Sequence, residues 1–147
     1  MRAYKVYAIE QGTVIDHIQA GKALKVVDIL NLDEYNQIVT VGMNLESQKM
    51  VRKDIVKIEN KNLNKEELNK IALIAPKATI NIIKDFDVAE KFKVEIPEEF
   101  KNIVGCPNPN CITRHEEIDS KFYKLKDKPL TIKCHYCEKA FDEFKLL

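Results

Sequence analysis

The stretch "CPNPNC", residues 106–111, places two cysteines around a turn that holds two prolines and two asparagines. A second pair follows in "CHYC", residues 134–137, and the first 105 residues contain no cysteine. The pattern is C-x4-C, then 22 intervening residues, then C-x2-C. Two cysteine pairs on tight turns, separated by a loop of about this length, are typical of a four-thiolate zinc site.

Other chemistries could use the same cysteines. Two structural disulfides would suit an oxidising compartment better than the cytosol. "CHYC" alone could be a redox pair, but that motif needs a strand-to-helix context and leaves the first pair unexplained. An iron centre held by four cysteines uses the same geometry and stays open. We favour one zinc ion, with these ligands: Cys106, Cys111, Cys134 and Cys137.

The role of this metal follows from its ligand count and from the size of the segment around it. Four thiolates fill a tetrahedron and leave no position for water or substrate, so we expect a structural ion. Residues 98–147 contain few large apolar side chains, and cores this small commonly need a metal. The alternating "FYKLK" (122–126) and "PLTIKC" (129–134) predict short antiparallel strands, and hence a zinc ribbon.

The first two thirds of the chain predict a mixed sheet-and-helix domain. The helix that follows Asn64 carries a capping box with Glu67 and must stop near Pro76. An earlier helix, in "AGKALKVVDIL", has an apolar stripe formed by Ala20, Ala23, Leu24, Val27 and Leu30. Strands are predicted at Tyr4–Ile9, Ile38–Leu45, Asp54–Asn60 and Ala78–Ile83.

This element order is β-α-β-β-α-β, the ferredoxin-like arrangement, in which two helices cover one face of a four-stranded antiparallel sheet. The predicted fold class is therefore α+β, with the small zinc ribbon after it. "DVAEKFKVEIPEEF" (87–100) is predicted to link the two domains, with the boundary near Pro97.

Composition narrows the functional classes. The chain has 24 Lys and Arg against 23 Asp and Glu, and neither side of Pro97 shows the basic excess typical of a nucleic-acid binder. The sequence has no run of 18 apolar residues, so no membrane span is predicted. The N-terminus lacks the apolar core of a secretory signal. We expect a cytoplasmic protein that binds neither nucleic acid nor membrane.

The chemistry of the first domain is weakly marked. It has no G-x-G-x-x-G, P-loop or G-x-S-x-G motif. The polar residues that stand out are Asp16, His17, Lys57, Asn81 and Lys91. Their pattern gives slight support to anion binding and hardly any to catalysis.

Several longer motifs occur together in one order. They are "GTVIDHI" (12–18), "RKDIVKIEN" (52–60), "APKATIN" (75–81), "CPNPNCI" (106–112) and "CHYCEK" (134–139). With these motifs, the chain resembles the regulatory chains of aspartate carbamoyltransferase over essentially its full length. The resemblance implies a non-catalytic allosteric subunit of the enzyme that controls the committed step of pyrimidine synthesis.

The same resemblance implies a role for each domain. Residues 1–97 would bind nucleoside triphosphates, with CTP as inhibitor and ATP as activator, and would form a homodimer. Residues 98–147 would hold zinc and contact the catalytic chains, so that regulatory dimers bridge two catalytic trimers.

The family's functional residues map onto this sequence one by one. The implied effector site lies on the first strand and its following loop, on "IVKIEN" and around the fourth strand: Ala8, Ile9, Val14, Asp16, His17, Lys57, Asn81, Ile83, Phe86, Val88 and Lys91. Phe86 replaces a tyrosine of better-studied members, so a bond from that hydroxyl is absent. Candidates for contact with the catalytic chain, with both asparagines facing outward, are Asn108, Asn110, Tyr136, Glu138 and Lys139.

Two alternatives come from other classes. A zinc-ribbon factor associated with nucleic acid would share the cysteine pattern, but the neutral charge balance disfavours it. A free-standing metal-dependent enzyme is disfavoured by the filled tetrahedron.

Overall fold

The computed structural model describes residues 8–147. The chain forms two units, and the boundary between them falls after Glu95. The first unit consists of β1 (Gly12–Gln19), α1 (Ala23–Ile29), β2 (Val39–Glu46), β3 (Arg52–Glu59), α2 (Lys65–Ile74), β4 (Thr79–Lys84) and β5 (Asp87–Lys93). Its antiparallel sheet has the strand order β2-β3-β1-β4-β5. The predicted α+β class is confirmed, and so is the β-α-β-β-α-β order from β1 to β4.

The first strand that the structure describes, β1, was not predicted as a strand. Residues 4–7 of the predicted strand lie outside the described residues, and Ala8 and Ile9 precede β1. The sequence of β1 is "GTVIDHIQ", in which Asp16 and His17 interrupt the apolar run. A β-bulge at these two residues breaks the two-residue period that identifies strands.

The fifth strand is a second correction, because residues 87–93 were predicted to be part of a linker. β5 pairs with β4 through a two-residue turn, Asp85–Phe86, in which both residues have positive φ. This is the geometry of a type I′ hairpin. β5 lies at the edge of the sheet and is mostly exposed, so its polar sequence shows no apolar alternation.

The capping box predicted for α2 is present, whereas the apolar stripe predicted for α1 is only partly right. The Asn64 side chain accepts a hydrogen bond from the Glu67 N–H (2.8 Å), and the Glu67 carboxylate accepts one from the Asn64 N–H (3.1 Å). Ala23 and Val26 of α1 and Leu30 just after it are buried, whereas the predicted Val27 is half-buried and the predicted Leu24 is exposed. The helix starts only at Ala23, so the predicted Ala20 lies outside it.

One face of the sheet carries the core of this unit. Val56, Ile15 and Ile80 are in register on β3, β1 and β4, and none of them is exposed. Apolar side chains of α1 and α2 are equally buried, as expected for helices that pack on this face. Since side chains alternate along a strand, the intervening residues form the opposite face.

Asp54 is a fully buried carboxylate on the helix-facing side of β3. One of its oxygens accepts hydrogen bonds from the N–H groups of Gly21 (2.9 Å) and Ala23 (3.1 Å), where α1 begins. The other accepts one from the N–H of Asn44 (2.8 Å), which lies in a bulge of β2. Three backbone donors thus share one buried acceptor, and this arrangement fixes the start of α1 and the bulge together.

The second unit is built from short strands: β6 (Glu99–Lys101), β7 (Val104–Gly105), β8 (Lys121–Asp127), β9 (Leu130–Cys134), β10 (Ala140–Phe141) and β11 (Lys145–Leu146). They form a sheet in the order β10-β9-β8-β6 and a β11-β7 pair. The rings of Phe100 and Phe122 stack with their centroids 6.1 Å apart. The two predicted strands are β8 and β9. Within residues 8–147 no helix is long and apolar enough to cross a membrane.

We expect Asp54→Ala to lower the free energy of unfolding of the first unit by about 3 kcal/mol, because three backbone N–H groups lose their buried acceptor. Asp54→Asn keeps the size and one oxygen, so its loss should be smaller. Urea titration of the full chain, read by hydrogen exchange of β1 and β3 peptides, measures both. Asp28→Ala, an exposed acid on α1, is the control. Equal stability of Asp54→Ala and this control would contradict the role of Asp54.

Candidate metal centre and anion-binding face

The four cysteines of the second unit come together at one point. Cys106 follows β7, Cys111 precedes a single 3-10 turn, Cys134 ends β9 and Cys137 lies in the next turn. All four Sγ atoms lie within 4.8 Å of one another, and all four cysteines are free of disulfides.

The sulfur spacing fits a tetrahedral metal. The Sγ atoms of Cys106 and Cys137 are 3.8 Å apart, and those of Cys111 and Cys134 are 3.7 Å apart. Metal–sulfur bonds of about 2.3 Å in a tetrahedron give sulfur–sulfur edges of roughly 3.8 Å. Disulfide bonds would need sulfurs at about 2.05 Å. The donor set therefore suits a four-coordinate thiolate centre with no open position.

Backbone hydrogen bonds to the four sulfurs favour the binding of a cation. Each cysteine sulfur accepts a hydrogen bond from the backbone N–H two residues further on, namely that of Asn108, Thr113, Tyr136 and Lys139. Such bonds favour the thiolate, which is the form that binds metals.

The pKa values of the thiols show two opposing effects. Burial raises the pKa of Cys106 and of Cys134. Burial also acts on Cys137, but the Lys139 N–H and the Asn108 side chain outweigh it and lower the pKa of Cys137 to about 7. The Thr113 hydroxyl donates to the sulfur of Cys111 (3.1 Å) and helps to lower the pKa of that thiol.

The loop between the first two cysteines differs from the prediction at one asparagine. Asn108 is buried, with 8% of its surface exposed, and its Oδ1 accepts a hydrogen bond from the Asn110 N–H (3.1 Å). Its side chain faces inward, where it also forms a hydrogen bond with the Cys137 sulfur. The other predicted contact residues are exposed: Asn110, Tyr136, Glu138 and Lys139.

The opposite face of the first unit's sheet, away from the helices, brings the predicted polar residues into one row. Lys57, Val14, Asn81 and Lys91 lie side by side on β3, β1, β4 and β5. Four residues that are up to 77 positions apart in the sequence therefore share one face. The row carries two ammonium groups and one amide, which is a donor set suited to an anion.

The bulge in β1 adds two further groups to this face. Asp16 and His17 together oppose Ile55 of β3, and His17 has a φ of 56°. The Asp16 carboxylate pairs with Lys53 (2.9 Å), and the His17 Nδ1 lies 3.1 Å from the Thr79 hydroxyl. Val14, Asp16 and His17 thus lie on β1 itself, not in a loop after the first strand as predicted.

On this face Asp16 is held in an ion pair, whereas Lys57 is in no ion pair with the residues that the structure describes. Burial would raise the pKa of Asp16, but the ion pair with Lys53 and the His17 N–H lower it. Burial lowers the pKa of Lys57, and the nearby Asp16 only partly opposes this. None of the ion pairs among residues 8–147 includes Lys57, so a partly desolvated ammonium faces the site without a carboxylate partner.

An apolar cluster passes through the row at Val14. Ile9, Val14 and Ile83 are buried together with Ile55 and pack against Leu45. Ile83 is in register with Gly12 of β1 and Val88 of β5, so this row is the next one along the same face. A Cβ on Gly12 would lie 2.1 Å from the Ile58 carbonyl oxygen, so no larger residue fits there. Ala8 and Val88 are exposed beside it.

Phe86 has left-handed backbone and an exposed ring. It has a φ of 67° in the β4–β5 turn, and 64% of its surface is exposed. Its backbone N–H donates to the Glu10 carbonyl (3.0 Å) just before β1. A bulky residue in left-handed backbone is uncommon and costs free energy, which points to a use for the exposed ring.

Sequence reasoning missed three residues of this face: Lys53, Thr79 and Lys93. Lys53 alternates with Lys57 in "RKDIVKI", and Thr79 alternates with Asn81, so the two-residue period could have found both. Lys93 could not be found in that way, because β5 was not predicted.

We expect removal of metal to unfold the second unit while the first keeps its structure. The metal's binding free energy is part of the folding free energy of so small a core. Hydrogen exchange of the full chain, before and after chelation and again after zinc is restored, would measure this. Fast exchange should be confined to residues 98–147 and should reverse with zinc. Unchanged protection of these residues without metal would contradict a structural role.

Comparison with known proteins agrees with this two-part organisation. Residues 4–95 match the family model "Aspartate carbamoyltransferase regulatory chain, allosteric domain". Residues 98–146 match the model "Aspartate carbamoyltransferase regulatory chain, metal binding domain" of the same protein.

Curated relatives match along nearly their whole length. An aspartate carbamoyltransferase regulatory chain of Thermococcus sibiricus is 57% identical over 143 residues, which cover 97% of this chain and 95% of the relative. That of Thermococcus onnurineus is 53% identical over 100% of this chain and 98% of its own length. That of Psychromonas ingrahamii is 46% identical over 94% and 91%. The chain belongs to the family of aspartate carbamoyltransferase regulatory chains, and is a regulatory, non-catalytic subunit with an allosteric and a metal-binding domain.

Proposed function

We propose that this chain is the nucleotide-responsive regulatory subunit of a cytoplasmic aspartate carbamoyltransferase, inhibited by CTP and activated by ATP. The observation that carries the proposal is the row of Lys57, Asn81 and Lys91 across three strands of one sheet face. Residues 1–97 form the nucleotide-binding domain in this assignment, and residues 98–147 form the zinc-binding domain.

The charges of the row support a triphosphate as the ligand. Lys57 is partly desolvated without an ion-pair partner, and an anion would offset that cost. Lys91 faces it across two strands, and Asn81 lies between them with an amide that can donate and accept. The negative Asp16 is already paired with Lys53, so it opposes an anion less than a free carboxylate would.

The base and ribose would lie toward the apolar end of the face. Ile83 of the next row and the buried Ile9 provide apolar surface there, and the exposed ring of Phe86 offers a surface for stacking. CTP and ATP share the triphosphate, so discrimination between them must come from this end. Either nucleotide can change activity only by binding two states of the assembly with different affinity.

Zinc is the metal that we assign to the four sulfurs. It accepts tetrahedral thiolate ligation and does not change oxidation state, as a purely structural site requires. The folded metal domain would then present Asn110, Tyr136, Glu138 and Lys139 to the catalytic chain, and all four side chains are exposed.

Homodimerisation through the first unit has support from β2. Among the described strands it lies at an edge of the sheet, and Ile38, Val41 and Met43 on or beside it are exposed. An edge strand with exposed apolar side chains is suited to pairing with a second copy. Such dimers would bridge two catalytic trimers.

We expect Lys57→Ala to weaken CTP and ATP binding by roughly tenfold or more, because a charge-assisted contact to phosphate is lost. Assembly with catalytic chains should persist, since Lys57 lies in the first unit. Isothermal titration measures affinity, and gel filtration with catalytic trimers measures assembly. Lys65→Ala, at an exposed lysine on α2, is the control. A Lys57→Ala chain that binds and responds to both nucleotides normally would refute the phosphate contact.

Phe86→Gly tests the base end separately. Glycine accepts positive φ, so the free energy of unfolding should stay the same or rise by up to about 1 kcal/mol. Nucleotide affinity should nevertheless fall, because the stacking surface is removed. Thermal unfolding and titration of the same sample would show the two effects together. A loss of stability would contradict the backbone strain at Phe86, and unchanged affinity for both nucleotides would contradict the proposed use of the ring.

A further inference from the structure

A cavity of about 270 Å³ opens beside His17 and Thr79. Its remaining lining residues come from the β2–β3 loop, from the segment before β4 and from β5: Lys49, Met50, Pro76, Lys77 and Lys93. Three of these are lysines, and no lining residue that the structure describes is acidic. None of the three lysines is among the residues that the family resemblance assigns to the effector site.

The cavity continues the face that carries the proposed nucleotide site. Thr79 is in register with Asp16 on β1 and with Lys93 on β5, so these residues form the row next to that of Asn81. Two residues along an antiparallel strand span roughly 6.8 Å. A ligand that extends along β4 from Asn81 in this direction reaches the cavity.

The surrounding charges favour an anion at this place. Burial is the main cause that lowers the pKa of His17; Asp16 opposes this, and the positive charges of Lys53, Lys49 and Lys91 lower the pKa further. Lysines from separate segments thus act on one imidazole. The nearest carboxylate, Asp16, is engaged by Lys53 at 2.9 Å.

We propose that this cavity binds the terminal phosphate of the nucleotide, with Lys49, Lys77 and Lys93 as its charged contacts. Binding there presupposes the nucleotide site proposed above, and it makes the cavity the part that selects triphosphates over monophosphates. The ammonium groups supply charge, and the Thr79 hydroxyl supplies a polar contact at the cavity wall. The base stays at the apolar end of the face, and the first phosphate stays with the row of Lys57, Asn81 and Lys91.

The test compares CTP with CMP on the full metal-loaded chain by isothermal titration. The variant is Lys49→Gln/Lys77→Gln/Lys93→Gln, and its control is Lys25→Gln/Lys65→Gln/Lys145→Gln, which removes the same charge at exposed lysines outside the cavity. We expect the cavity variant to bind CTP at least roughly tenfold more weakly and CMP within about twofold of the unaltered chain. The control should bind both within about twofold.

The other outcomes overturn one proposal or both. If the cavity variant binds CTP as well as the control does, the cavity is not the phosphate site, while the nucleotide site stands. If CTP and CMP lose affinity equally, the lysines act as a general field and terminal-phosphate recognition is wrong. If the unaltered chain binds neither nucleotide, the proposed function fails together with the cavity.

Discussion

The antiparallel register of β3, β1, β4 and β5 is the constraint on which the first unit depends. Because side chains alternate, one register buries Val56, Ile15 and Ile80 on the helix side and aligns Lys57, Asn81 and Lys91 on the other. A slip of one residue would exchange the two faces. The core and the charged face are therefore specified together, and the stability of the first fixes the geometry of the second.

The pairing shifts at three places in this sheet, and the bulges in β1 and β2 have identifiable roles. In β1 the extra residue turns both Asp16 and His17 toward the charged face, which strict alternation would not allow. In β2 the bulge presents the Asn44 N–H to the buried Asp54, which also holds the start of α1. Asp54 thus accepts hydrogen bonds from backbone N–H groups that the bulge and the start of the helix leave without a backbone partner.

Features that depend on local sequence were predictable, and features that depend on tertiary pairing were less so. The four cysteines and the Asn64–Glu67 capping box are set by spacing, and the structure brings each together as predicted. β5 was missed because an exposed edge strand needs no apolar alternation. Asn108 was predicted to face outward, because a polar residue in a turn gives no sign that its side chain will form a hydrogen bond with the Cys137 sulfur. Sequence alone likewise could not show that Lys53 would take up the charge of Asp16.

The two units differ in how they use charge. In the second unit, four sulfurs with N–H donors fit one cation completely, so the arrangement is closed and does no chemistry. In the first, Lys57 and the cavity lysines lack matching carboxylates among the described residues, so the face is open to an anion. Under the proposed function, nucleotide binding stabilises this open face to different extents in the two states of the assembly. Because coupling is reciprocal, the same proposal requires the state of the catalytic chains to change nucleotide affinity by the same factor, with the metal domain as the proposed contact between them.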